Sequence, residues 1–261
     1  MTPTLRNFAE RIVRTGDLET KLAAPPADLA DEERGPPTFL DAPGRPPNLR
    51  IVASSDAKVP PVVGMADPAQ RARILHAFAN HELQAVELFA WALLAFPDAP
   101  ADFRRGVLGI LAEEQRHVRL YLARLAAHGV AFGDFPVSGY FWGKVADLTT
   151  PARFVCAMSL TFENANLDHT AAFAEAARRA GDDATAAVIA RIGRDEIGHV
   201  RFGVTWLARF DARPQWDAYR AHVAWPLRPA LARGADFRAE PRREAGLDEA
   251  FIEGLAESDP C

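Results

Sequence analysis

Residues 68–210 carry four stretches of apolar residues at helical spacing, each bounded by proline or glycine, with little strand-like alternation between them. The first runs from Pro68, which suits a first helical turn, to Phe96, where Pro97 stops it. The second runs from Ala101 to His128 and ends at Gly129. The third starts at Pro151, behind Thr150 as a cap, and ends near Gly181. The fourth follows Asp182 and Asp183 and reaches Phe210. Short breaks separate first from second and third from fourth, while a longer crossover occupies residues 129–150. Two helical hairpins joined by a crossover predict an all-α four-helix bundle over 68–210.

The flanks read differently. An amphipathic helix near Thr4 to Lys21 is followed by the proline pairs Pro25-Pro26, Pro36-Pro37, Pro46-Pro47 and Pro60-Pro61, which forbid long helices. Residues 1–67 are therefore expected to form a helix and an extended arm that wraps a core. Residues 211–261 hold a shorter helix around Trp216 to Val223 and an amphipathic segment from Leu247 to Leu255, a helical extension packed on the bundle. The formal net charge of -5 argues against a nucleic-acid partner held by bulk charge. The two cysteines, Cys156 and Cys261, exclude a disulfide scaffold and fit a reducing compartment. The longest apolar run, Leu88 to Phe96, is too short to span a bilayer, and the N-terminus has no apolar leader. A cytoplasmic protein with no membrane partner is expected.

Two Glu-x-x-His pairs stand out, Glu114/His117 and Glu196/His199. On a helix, residues three apart share a face, so each pair can offer one oxygen and one nitrogen to a single metal. Glu82 precedes Glu114 by 32 positions and Glu163 precedes Glu196 by 33, so the second half repeats the first. This is the pattern of a dinuclear carboxylate site inside a helical bundle, with one Glu from each of two helices and a Glu-x-x-His from each of the others. The carboxylates sit on apolar stripes: Leu75, Phe78, Val86 and Phe89 around Glu82, and Val107, Ile110, Leu111, Val118, Tyr121 and Leu125 around Glu114. Ile189, Ile192, Val200 and Leu207 surround Glu196, and the stripe of Glu163 is more polar, with Ser159, Asn166 and Thr170. A buried, uncompensated carboxylate costs several kcal/mol, so four of them demand cations. Carboxylate and imidazole donors suit iron or manganese better than a thiolate-preferring ion.

Glu87 competes with Glu82 as the ligand of the first helix, and the near-equal spacings favour Glu82. Glu113 competes with Glu114, but its face holds Gly106, Gly109, Arg116 and Arg124. Cys156 reads as a core residue. Gly109, Gly193, Gly198 and Gly203 fall inside helical stretches and mark either close helix approach or open space.

The strings NHELQAVEL, EEQRHVRLY, TFENANLDHT and DEIGHVRFG together resemble the ferritin-like diiron-carboxylate superfamily, and more closely an uncharacterised bacterial ferritin-like domain-of-unknown-function family. The resemblance extends to the arm (DAPGRPPNLR), the loop HGVAFGDFP and the tail FRAEPRREAGL. It implies the ferritin-like bundle, two iron ions (manganese or a mixed pair as variants), and Glu82, Glu114, His117, Glu163, Glu196 and His199 as ligands. Glu114 and Glu196 would bridge the metals as the catalytic pair. Around them it implies Asp195 and Glu113 as acidic neighbours of the ligands, Asp195 across the bundle from His117. Arg116 would balance Asp195, and Tyr121 is a redox or core tyrosine one turn past His117. His81, His169 and Asp168 are left between packing and supporting roles.

The expected activity is an oxidoreductase that uses dioxygen and an external electron donor to oxidise or hydroxylate a small-molecule or nucleoside substrate, with a homodimer as candidate assembly. A ferroxidase or metal-storage protein is the first alternative. A tRNA-modifying diiron hydroxylase is the second, with Arg228, Arg233, Arg238, Arg242 and Arg243 as its basic patch. A metal-free scaffold bundle is a further reading.

Overall fold

The computed structural model describes residues 4–32, 34–223 and 225–258, so Cys261 lies outside the described residues. The chain is all-α, with a single two-residue strand pair among the described residues. It divides into two compact units after Val145.

The first unit begins with α1 (Leu5–Arg14), capped by the Thr4 hydroxyl, and α2 (Leu18–Leu22), capped by Asp17. The single helix expected over residues 4–21 is thus two helices. The chain leaves α1 at Thr15 in extended conformation, and the Asp17 carboxylate restarts it by accepting from Thr20 N. The long helices α3 (Pro68–Ala95) and α4 (Ala101–Ala127) pack along each other as a hairpin. α3 is buried almost all round: 21 of its 28 residues are buried. An all-round buried helix needs cover on its outer side as well, and here α1 and the arm supply it. Trp91 Nε1 donates to Leu40 O at 3.0 Å, Thr38 N donates to Leu94 O at 2.9 Å, and Arg104 grips Asp31 at 2.7 Å. Gly44 makes this wrap possible, because a Cβ there would meet Arg14 O at 1.9 Å. Strand β1 (Ile51–Val52) pairs in parallel with β2 (Val137–Ser138), which ties the arm to the segment after α4.

The second unit opens with α5 (Pro151–Ala157), which Thr150 caps. The continuous helix expected from Pro151 to Gly181 is interrupted: Met158–Glu163 forms a π-helical turn before α6 (Asn164–Arg179). A π turn inserts one residue and leaves the helical ladder locally short of donors. Thr161 repairs it, its hydroxyl lying 2.7 Å from Cys156 O and 2.8 Å from the Tyr219 hydroxyl. α6 packs along α7 (Asp183–Phe210) as the second hairpin. The tail supplies α8 (Gln215–His222), α9 (Ala239–Ala245) and α10 (Glu249–Ala256). Trp216, Tyr219 and Phe251 pack together between α8 and α10, with Tyr219 and Phe251 ring centres 4.9 Å apart. Among the described residues no helix is long and apolar enough to cross a membrane.

Candidate metal centre

In the first unit, α3 presents Glu82 and α4 presents Glu114 and His117, one turn apart. Each offers a ligand atom within 4.8 Å of the others. His117 Nδ1 stands 3.4 Å from Glu114 Oε2 and 3.9 Å from Glu82 Oε2. In the second unit, the π turn ends on Glu163, and α7 presents Glu196 and His199. These three also lie within 4.8 Å of one another. His199 Nδ1 stands 3.3 Å from Glu196 Oε2 and 3.7 Å from Glu163 Oε1. All six residues are at most 6% exposed.

The two triads match atom for atom, with Nδ1 of each imidazole turned toward the carboxylates. The separations of 3.3–3.9 Å exceed a good hydrogen bond. They suit two donors on one ion, since metal–ligand bonds of about 2.0–2.2 Å put neighbouring donor atoms roughly 3–4 Å apart. Glu196 shows this most directly. Its Oε1 accepts from Asn166 Nδ2 at 3.0 Å, while its buried Oε2 makes no hydrogen bond. The residues therefore fit a cation in each triad.

The rival carboxylate, Glu87, is fully buried and already neutralised. Arg45 holds both its oxygens at 2.9 and 2.7 Å, Lys21 lies at 3.1 Å, and Trp142 Nε1 donates at 2.8 Å. Burial pushes the Lys21 ammonium below its usual range, and the carboxylate of Glu87 opposes that shift. The second unit repeats the arrangement. Asp168, five residues past Glu163 as Glu87 is past Glu82, is clamped by the fully buried Arg242 at 2.8 and 2.9 Å and also accepts from Gly234 N and Arg238 N. The arm and the tail thus do the same thing, each sending one arginine to a buried acid beside a triad.

The other expected neighbours differ in exposure. Arg116 pairs with Glu113 at 3.0 Å, and both side chains are well exposed, at 47% and 38%. The two lie on adjacent turns of α4 and reach each other there. Asp195 is half-buried on α7. Tyr121 is buried, with its ring 5.6 Å from that of Phe78. His169 is exposed at its surface, yet its surroundings lower its basicity, chiefly by desolvation. Cys156 is fully buried, and burial pushes its thiol well up, as suits a core residue.

The helical glycines Gly109, Gly193, Gly198 and Gly203 split into two kinds. A Cβ at Gly193 would meet Thr170 Oγ1 at 2.3 Å and one at Gly203 would meet Ser159 Cβ at 2.6 Å, so both mark close approach to α7. Around Gly109 and Gly198 nothing lies within 4 Å. Three of the five arginines expected as a basic patch of the tail are engaged within the fold. Arg242 is consumed by Asp168, Arg243 pairs with Glu249 at 2.7 Å, and Arg233 donates to the carbonyls of Leu255 and Ala256. Charge that is spent on the fold is not offered to phosphates.

Asn166 is legible in the sequence only as a polar residue on the stripe of Glu163, and nothing there marks Arg45, Lys21 or Trp142 as partners of Glu87. The Glu87/Asp168 repeat was the visible signal for the two clamps, but nothing local names the arginines that fill them. No curated protein and no solved structure matches the chain. The family described as "Protein of unknown function (DUF455)" matches residues 4–253, and the chain belongs to that family.

Proposed function

We propose that the chain is a ferritin-like dinuclear metal oxidoreductase. Glu82, Glu114 and His117 would hold one metal, and Glu163, Glu196 and His199 would hold the other. The observation that carries this is the pair of equivalent, buried Glu/Glu/His triads. Four carboxylates and two imidazoles at such burial are costly without cations, and two divalent ions cancel the four negative charges. Oxygen and imidazole donors favour iron or manganese.

Two iron ions, when bound, supply redox chemistry with dioxygen that no side chain of the chain can supply. The chain's own part is to hold, orient and keep dry. With Nδ1 as ligand atom, each neutral imidazole carries its proton on Nε2. Val107, Leu111, Val118 and Tyr121 on α4, and Ile189, Ile192 and Val200 on α7, bury the approaches and exclude water. Dioxygen, an organic substrate and an external electron donor are the reactants this reading requires.

The test is metal analysis of protein purified from cells, followed by anaerobic reduction and readdition of dioxygen. Two metal ions per chain and dioxygen consumption are expected. Iron-loaded, reduced protein that consumes no dioxygen would overturn the oxidoreductase reading. A large hollow oligomer on sizing would favour storage instead.

A further inference from the structure

We infer that the cavity between α3, residues 55–59 and the segment around β2 is a binding site for a small organic anion, whose oxygens are received by Arg73, Lys58 and the ring N–H of His76. The site lies wholly within the first unit and goes beyond the metal reading, since it stands whether or not the triads hold metal.

The cavity has a volume of about 250 Å³. That is just below the roughly 300–1,000 Å³ of sites for drug-sized molecules, and several times the share of one water, about 30 Å³. It has room for more than a bare oxyanion. Its walls are held before any ligand arrives. Asn80 Nδ2 donates to Ser138 O at 2.9 Å, and Asn80 Oδ1 accepts from Arg45 at 2.7 Å. The pairing of β1 with β2 fixes Val137 and Ser138. Ala77, Phe135 and Val137 make part of the wall apolar.

Three donors on this wall are uncommitted. His76 is only 1% exposed. Its Nε2 accepts from Gly133 N at 2.8 Å, so the neutral ring carries its proton on Nδ1. That N–H finds no acceptor among the described residues. An N–H without an acceptor on a side chain this buried calls for one, and an anionic oxygen in the cavity that His76 lines would supply it. The Arg73 guanidinium lies 4.5 Å from the centre of the Phe135 ring. Stacking orients its plane and uses none of its N–H groups. Among the described residues neither Arg73 nor Lys58 makes a hydrogen bond or an ion pair, whereas Arg45 and Arg242 are both consumed by buried acids. Asp56 is the one acid on the wall, and its carboxylate accepts from the Ser55 hydroxyl at 3.2 Å. Two cations against one acid leave the wall net positive in a chain whose formal net charge is -5.

The experiment uses the full chain, as purified and after metal removal, titrated calorimetrically with benzoate, phenyl phosphate, inorganic phosphate and the neutral benzamide. An aromatic anion is expected to bind once per chain, with equal affinity in both preparations, and the tighter of the two assigns the anion as a carboxylate or a phosphate ester. Arg73→Met and Lys58→Gln, both at exposed positions, should weaken that binding about tenfold and leave the unfolding midpoint unchanged. The Nδ1 resonance of His76 in nitrogen-labelled protein should shift on saturation, and a resonance that stays put would remove His76 from the site. No saturable binding of either aromatic anion would overturn the inference, as would binding that both substitutions leave untouched. Benzamide bound as tightly as benzoate would overturn the anionic class, and inorganic phosphate bound as tightly as phenyl phosphate would overturn the organic part. Binding confined to the metal-containing preparation would place the probe on a metal instead. A chain without metal would end the dinuclear reading and leave all these outcomes as they are.

Discussion

Arg242 lies fully buried against Asp168, with its guanidinium nitrogens 2.8 and 2.9 Å from the two carboxylate oxygens and the ring of Phe237 at 4.2 Å. The partners are 74 residues apart, and the pair fastens the tail to α6 next to Glu163. Removing one member of such a pair strands the other charge in the core, at a cost of about 3–5 kcal/mol. Arg242→Met should therefore lower the denaturant midpoint sharply. The double variant Arg242→Met/Asp168→Leu should recover much of the loss, since a buried pair can often be replaced by packed apolar groups. Chemical unfolding of the three proteins checks this, and equal losses in single and double variants would contradict it.

Glu82 and Glu87 lie on the same helix, and opposite outcomes are expected from them. Glu87 is compensated by Arg45 and Lys21, so Glu87→Gln should destabilise the protein and leave metal stoichiometry at the wild-type value. Glu82→Gln should reduce bound metal while leaving the metal-free protein at least as stable. Metal content by elemental analysis, together with thermal unfolding of each variant, separates the two roles.

Metal binding should also show in stability. A ligand that binds only the folded chain adds about 2.7 kcal/mol at a hundredfold excess over its dissociation constant. Adding Mn²⁺ or Fe²⁺ to the stripped wild type should raise its midpoint. Glu114→Gln should abolish that rise and raise the metal-free midpoint, because one buried charge is gone. A metal-free scaffold would show neither effect.

How much of this was legible in the sequence follows from the range of the interactions. The four long helices were readable because proline, glycine and caps mark their ends locally: Pro68 and Pro151 both begin helices, and Ala101 opens α4. The two triads were readable because one-turn spacing places Glu114 with His117 and Glu196 with His199. The π turn at Met158–Glu163 was not, because its side chains are ordinary helix residues and the side chains that mend it, Thr161 on Cys156 O and Asn164 on Leu160 O, are not distinctive in sequence. The arginines of the tail read as a basic patch on the surface, yet Arg242 is among the most buried side chains. Its partner is remote in sequence, and only the folded chain pairs them.

His76 should give the fold an acid-sensitive point apart from the triads. Its Nε2 accepts from Gly133 N at 2.8 Å and its ring packs against Phe132 and Phe135, so protonation would break the hydrogen bond and bury a charge. Burial pushes its pKa down to about 4, with Asp134 opposing the shift. Because the folded value lies below the unfolded value of about 6.5, the contribution of His76 is fully present above about pH 6.5. It is lost progressively as pH falls toward 4. Acid unfolding sums over many groups, so the informative quantity is the difference between wild type and His76→Gln, which keeps an acceptor but cannot take up the proton. The gap in unfolding midpoint between the two should narrow steadily from pH 7 to pH 4, and a gap independent of pH would show that folding leaves the pKa of His76 unchanged.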